Sequence, residues 1–429
     1  MSSLPARLFR SYLASYAGLP RKVWLLALVM LVNRSGAMVV AFLSVYLVNA
    51  RGFSLVDSGY VMGAFGAGGI VGNLVGGHLN DRYGSWHIML FSLIGAGLLH
   101  ILMGQISDFW TLCGVAFLVS VVADAFRPAN RAAIAIYSPP EKLSQSYGLQ
   151  RIAVNLGFSI GPALGGFIIH AYGYELLFWG DGFTFLLAAT VFYFALPADE
   201  TARPLVDQAT RNRLLTDTPG HVRSRPAHLQ PWLLLMVLAN IAIIVCFFQF
   251  FSTLPLYWME AGYSERAIGL LITFSGVTIV LAEMPLVNWA EQRYRPISIM
   301  LVGALLMAVA YLLMPPGVGS FAYLALFMVV LTVGEILYMP FTSTYVSRWA
   351  PPERLGEYQG LLSASYSMAF VVTPLLGLRV AEHYGYETSV YVSATLGVIG
   401  VGLLAGVDRL RVRRVGAVPA ARAAEGAPR

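Results

Sequence analysis

A chain of 429 residues that is 57% hydrophobic and only 12% charged cannot cover its own surface in water, because soluble domains carry about 25% charged residues. Its mean hydropathy of +0.68 excludes an ordinary soluble enzyme and asks for lipid as the solvent of the surplus apolar surface. The net charge of +6 sits in short loops and tails, so it reads as a topology signal and as contact with anionic headgroups of membrane lipids. Nucleic-acid binding is not expected.

In chain order, Leu4, Leu8, Tyr12 and Tyr16 fall at helical spacing with Arg7 and Arg10 between them, before Gly18 and Pro20. This predicts a short amphipathic segment, 1–22, lying on the cytoplasmic face. A cleavable signal peptide is not expected, since the first apolar run comes late and is too long for one. Apolar runs follow at about 23–48, 56–79, 87–104, 109–137, 145–171 and 174–196, and then at 231–258, 265–289, 297–314, 319–349, 355–381 and 387–407. Each is long enough to cross a bilayer at 1.5 Å per residue. The predicted fold is therefore an all-α membrane protein of twelve transmembrane helices. A first six-helix bundle covers 23–196 and a second 231–408, with a cytoplasmic linker at 197–230 and a disordered cytoplasmic tail at 409–429. The linker carries Arg203, Arg211, Arg213, Arg223 and Arg225 among its prolines.

Lysine and arginine mark alternate loops: Arg21 and Lys22, Arg82, Lys142, the linker, Arg293 and Arg295, Arg348 and Arg354, and the cluster from Arg409 to Arg414. The positive-inside rule then puts both termini in the cytoplasm of a multi-pass inner-membrane protein, which needs an even number of spans. The chain also repeats itself. Pro139-Pro140-Glu141-Lys142-Leu143 returns as Pro351-Pro352-Glu353-Arg354-Leu355, and at the same offset Pro128, Gly148 and Pro162 match Pro340, Gly360 and Pro374. Two halves of like topology follow, with a site between them.

Cys113 and Cys246 lie in apolar runs and read as packing residues. The seven histidines are scattered, and no HExxH or nucleophile-elbow motif occurs, so no metal, cofactor or enzymatic site is expected. The glycines from Gly63 to Gly77 lack nucleotide-loop spacing and read as tight helix packing.

Between the second and third runs stands Gly77-His78-Leu79-Asn80-Asp81-Arg82-Tyr83-Gly84. It resembles the G-x-L-x-D-R-x-G loop of the major facilitator superfamily, with Ser85, Trp86 and His87 where basic residues are usual. That departure predicts a weaker charge network locking the outward-facing state. Gln292-Arg293-Tyr294 is a remnant of the same loop in the second half. The fifth run holds Gly157, Gly161, Pro162, Gly165 and Gly166, similar to the glycine signature of that family's proton-coupled antiporters. Physically, glycines at i, i+4 and i+8 make a flat face for a neighbouring helix. The resemblance implies two pseudo-symmetric bundles with helices 1, 4, 7 and 10 lining a central cavity.

Ionisable groups within a membrane are functional candidates, since each costs about 2.5–3.5 kcal/mol to place there. Arg34 in helix 1, Asp124 and Arg127 in helix 4, and Glu335 in helix 10 fall on the cavity helices, with Gln249 of helix 7 at similar depth. Asp124 and Glu335 are the expected proton-coupling pair, with Arg34 and Arg127 as their movable partners. A carboxylate in a cavity of low dielectric keeps its proton more readily, and a nearby guanidinium makes it release the proton. A fixed ion pair of Arg34 with Asp124 is the structural alternative. Arg151 and Glu283 read as structural, with Glu283 also a candidate for the cavity. Asp81 reads as a conformational latch, and Asp181 receives no role. The resulting expectation is a monomeric secondary transporter that exchanges protons for small amphipathic or drug-like compounds by alternating access. An importer of a charged solute, for which the cavity arginines would suit an anion, and an amphiphile carrier are the alternatives.

Overall fold

The computed structural model describes residues 18–198, 227–351 and 354–415. The amphipathic segment predicted before residue 18 and most of the linker lie outside those residues. Among the described residues, twelve helices are long and apolar enough to cross a membrane. They are α1 (Arg21–Ala50), α2 (Leu55–Tyr83), α3 (Ser85–Gln105), α4 (Phe109–Tyr137), α5 (Leu143–Tyr172), α6 (Glu175–Ala195), α7 (Pro231–Phe251), α8 (Glu265–Glu291), α9 (Pro296–Leu313), α10 (Phe321–Trp349), α11 (Leu355–Tyr384) and α12 (Tyr386–Val415). The last helix continues past 408, so the start of the tail segment is helical rather than disordered. Charge alone ended the apolar run there, and a helix whose last turns leave the bilayer tolerates charge.

Helix ends follow their local chemistry. Ser54, Asp108, Ser264 and Ser320 cap α2, α4, α8 and α10 through side-chain oxygens. The Asp108 carboxylate accepts from the Thr111 amide at 2.8 Å and its hydroxyl at 2.7 Å, and these bonds hold it below the usual carboxylate range. Gly84, at φ +81°, turns the chain between α2 and α3 in a conformation that side chains resist. Large side chains such as Phe91, Phe183, Leu281 and Leu326 are exposed on the outside of the bundle, as lipid-facing positions require.

Each half packs its own helices, and the halves join mainly through α5 against α8 and α2 against α11, with the second segment of α1 also meeting the end of α7. The joints are alike. A Cβ at Gly269 of α8 would collide with the carbonyl oxygen of Pro162, and one at Gly59 of α2 would meet that of Pro374 at 3.0 Å. Pro162 and Pro374 are the pair matched by the internal repeat, so the pseudo-symmetry of the sequence is realised at the contact between bundles.

Three helices are interrupted: α4 at Ala125, between Phe109–Asp124 and Phe126–Tyr137, and α1 and α7 at corresponding depths. In α1 the helix Arg21–Ser35 stops, restarts at Met38–Val45 and ends in a π-turn over Tyr46–Ala50. In α7 the helix Pro231–Phe248 passes through a 3-10 turn, Gln249–Phe251, before Thr253–Glu260. Hydropathy sees both as continuous runs, because a break lined by protein keeps its apolar composition.

Cross-half contacts gather at the end of the molecule away from the termini. There Tyr174 donates to Glu265 at 2.7 Å, the Val56 backbone amide to Glu382 at 2.6 Å, and the Asn49 side-chain Nδ2 to the Met259 sulfur at 3.3 Å. Arg266 also covers the Phe167 ring at 4.4 Å. Oxidative cross-linking of an N49C/M259C pair, with the native cysteines replaced, is expected to lower transport by at least about tenfold, reversibly with reductant, because it holds this face shut. Transport that survives verified cross-linking would show that this face does not open.

Candidate functional site

A cavity of about 370 Å³ lies between the halves. Arg34, Asp124, Arg127 and Glu335, four residues expected in the cavity from sequence, all line it. Aromatic side chains make up much of the remaining wall, including Phe65, Phe158, Phe248, Phe251 and Phe370. The space therefore combines apolar walls with a few convergent charges, as small-molecule sites do.

The charges do not pair as the structural alternative had them. Asp124 accepts from Arg127 at 2.8 Å, one turn along its own helix. Arg34 makes no ion pair among the described residues; its guanidinium stands over the Phe158 ring at 5.6 Å, and its buried Nε has no hydrogen-bond partner. Gly157 makes room for it, since a Cβ there would come within 2.5 Å of the Arg34 Cβ. Gly161 faces the α1 backbone at Ala37, and Gly165 faces Met38 and Phe42. On the other side of the same helix, a Cβ at Gly166 would come within 2.5 Å of the Glu265 carbonyl oxygen. The glycine signature of α5 thus seats the break in α1 on one side and the joint with α8 on the other.

Glu335 has neither an ion pair nor a hydrogen bond with any described residue, although its carboxyl reaches the cavity. Neither arginine expected as its partner reaches it here: Arg127 is paired with Asp124 and Arg34 stands over Phe158.

Two expected cavity residues are elsewhere. Gln249 sits in the α7 break, 1% exposed, where its oxygen accepts from Thr253 at 2.5 Å and it packs against Gly377 of α11. It holds the broken helix, and it is absent from the cavity wall because its depth was predictable and its direction around the axis was not. Glu283 is likewise off the wall: it pairs with Arg151 across the α5–α8 joint and accepts from Asn155 at 3.2 Å. Replacing either Arg151 or Glu283 with Gln is expected to lower the apparent unfolding temperature by roughly 2–4 °C, and the double variant should lose no more than the worse single one. Fully additive losses would deny the coupling.

Sequence reasoning missed Asp181 and His100, both on the cavity wall. Asp181 of α6 accepts from the Met38 and Val39 amides at 3.1 and 3.0 Å, and so caps the restart of α1. Gly36 in the break lies against Thr184 of the same helix. Only the charge of Asp181 signalled it; its partners lie far away in the chain. The loop motif lies at the termini end: Asp81 and Arg82 are exposed, Asp81 makes no ion pair among the described residues, and a Cβ at Gly77 would meet nothing.

Two six-helix bundles around a shared chamber of charges and aromatic rings are the architecture of a membrane transporter. The chain belongs to the major facilitator superfamily, whose family model matches residues 23–267 and 258–426. It is a transporter and not an enzyme. It is 22% identical over 397 residues to a Na(+), Li(+), K(+)/H(+) antiporter of Planococcus maritimus, covering 86% of this chain and 91% of the relative. It is 24% identical over 345 residues to the multidrug resistance protein MdtG of Escherichia coli O9:H4 (strain HS), covering 79% and 81%. Among solved structures, a POT family transporter crystallised with 5-aminolevulinic acid superposes with a TM-score of 0.75 at 14% identity, over 90% of this chain and 95% of that one. That likeness concerns the fold.

Proposed function

We propose that the protein is a proton-coupled exporter of small amphipathic compounds, working by alternating access in the inner membrane with its termini in the cytoplasm. The observation that carries this reading is Glu335: a carboxyl without a cation partner on the wall of an aromatic chamber between two bundles. Such a group changes the charge of the chamber by one unit whenever it gains or loses a proton. Phe158, Phe248 and Phe370 offer apolar and cation–π surface to an organic cation or amphiphile. Two relatives, an antiporter that exchanges cations for protons and a multidrug resistance protein, support the direction of transport. With the far face latched, the chamber is served from the termini side. Asp81 would engage the second bundle when that side closes.

Arg34, which makes no ion pair among the described residues, favours a second reading, import of an anionic solute with protons. One experiment separates the two. In everted vesicles with an imposed pH gradient, a panel of lipophilic cations and organic anions is screened for compound-dependent change in lumen pH. Export predicts that addition of a cation such as ethidium dissipates the gradient; proton release with an anion would favour the second reading, and silence across the panel would leave neither.

A further inference from the structure

We propose that Asp181 and His100 form a second proton-binding site, separate from Glu335, whose occupancy sets how firmly the broken helix α1 is held and hence where Arg34 stands. The inference rests on the proton-coupled reading only for its purpose; the site itself can be tested without any cargo.

Both side chains are buried, at 1% and 3% exposure. The His100 Nδ1 lies 2.8 Å from the Ala96 carbonyl oxygen. A carbonyl only accepts, so Nδ1 carries the hydrogen, and Nε2 of the neutral ring is a bare acceptor. That Nε2 faces the Asp181 Oδ2 at 4.0 Å. Two acceptors oppose each other beyond hydrogen-bond distance, and one proton on either of them would draw the pair together by about 1 Å into a hydrogen bond. Phe185 stacks on the imidazole, with centroids 4.9 Å apart and planes at 24°, and keeps it pointed at the carboxylate.

The surrounding charges leave this proton free to come and go. From α1, Arg34 shares the chamber yet makes no ion pair; from α4, Asp124 and Arg127 are occupied with each other; the wall residues of α5, Val154, Asn155 and Phe158, carry no charge. No permanent cation pins Asp181 in its ionised form. Because both members of the pair reach the chamber, a hydronium there can deliver the proton and leave as water.

Asp181 is also the cap of α1. Ionised, both its oxygens hold amides of the restart, Met38 and Val39. On protonation a new O–H bond forms at Oδ2 and points to His100 Nε2. That oxygen then holds the Val39 amide less strongly, while Oδ1 keeps Met38. The net charge of the pair goes from minus one to zero, and α1 loses part of its anchor beside Arg34. His100 acts as the positioning residue that receives the new hydrogen bond.

The test is an infrared pH titration of purified protein in lipid nanodiscs, with no substrate present, on wild type, Asp181→Asn, Glu335→Gln and His100→Gln. The proposal expects a titrating carboxyl band that Asp181→Asn removes, Glu335→Gln leaves, and His100→Gln moves by at least about one pH unit. It is overturned if the Asp181→Asn spectrum matches wild type, or if His100→Gln leaves the midpoint in place. Should Asp181→Asn not fold, the His100→Gln midpoint decides by itself. A second readout is maleimide labelling of V40C on the α1 restart, corrected for thiol ionisation. We expect a pH-dependent change of about threefold that vanishes in V40C/D181N; equal pH dependence in both would sink the anchoring role. If wild-type vesicles show no proton-driven transport, the coupling reading fails while these measurements still settle whether the site binds a proton.

Discussion

Vesicles carrying Glu335→Gln are expected to lose accumulation of a transported cation against its gradient, while passive exchange of that cation across the membrane continues. One proton exchanged per molecule contributes about 1.4 kcal/mol for each pH unit, so a two-unit gradient sustains roughly hundredfold accumulation. Glutamine keeps the shape of the side chain and its reach into the chamber but cannot take up a proton, so the ratio should fall to about one. Asp124→Asn is expected to do less, roughly a tenfold loss of rate, because Asp124 is held by Arg127 at 2.8 Å and its removal leaves that guanidinium unpaired in the chamber. Wild-type accumulation by Glu335→Gln protein, inserted at normal levels, would remove Glu335 from the coupling mechanism. Equal retention by both variants would remove the acidic relay altogether.

Gly269→Val is expected to reduce transport by at least tenfold with little loss of folded protein. A Cβ at this position has no space, since the Pro162 carbonyl oxygen of α5 already occupies it. Backbone cannot yield as a flexible side-chain end can, so α8 and α5 must separate at the joint. In the alternating-access cycle proposed above, the bundles rock against one another through this joint and its counterpart at Gly59 and Pro374, and a wedge in one joint biases the equilibrium between the two faces. Labelling of a cysteine near Asn49 should increase as the far face loses its contacts. Gly402→Ala is the matched control, since a Cβ there meets nothing. Normal transport by the valine variant would mean that the close approach of α5 and α8 is not used in the cycle.

Much of the architecture was legible because the bilayer imposes a simple rule. A span must be apolar for about twenty residues, so twelve runs appeared, and the helices coincide with them to within a few residues except where α7 breaks before Thr253–Glu260 and where α12 continues to Val415. Repetition of the Pro-Pro-Glu motif at constant offset announced two like halves. A charge within an apolar run is costly wherever it points, which is why Arg34, Asp124, Arg127 and Glu335 could be picked out before any contact was known.

Direction around a helix axis was not legible in the same way. Gln249 and Glu283 lie in spans that border the chamber but face the α7 break and the α5–α8 joint. Helices enclosed by lipid on one side and protein on the other are apolar nearly all round, so no polar stripe tells one face from another. The fracture of α1, its capping by Asp181, and the approach of His100 join residues far apart in the chain. By itself the sequence determined the number of spans, their pairing into two halves and the charges that must be accounted for, because those follow from the cost of placing each residue in lipid. Only the tertiary structure decided which charges meet, which stay alone and where a helix breaks, because those depend on what neighbouring helices offer at each depth.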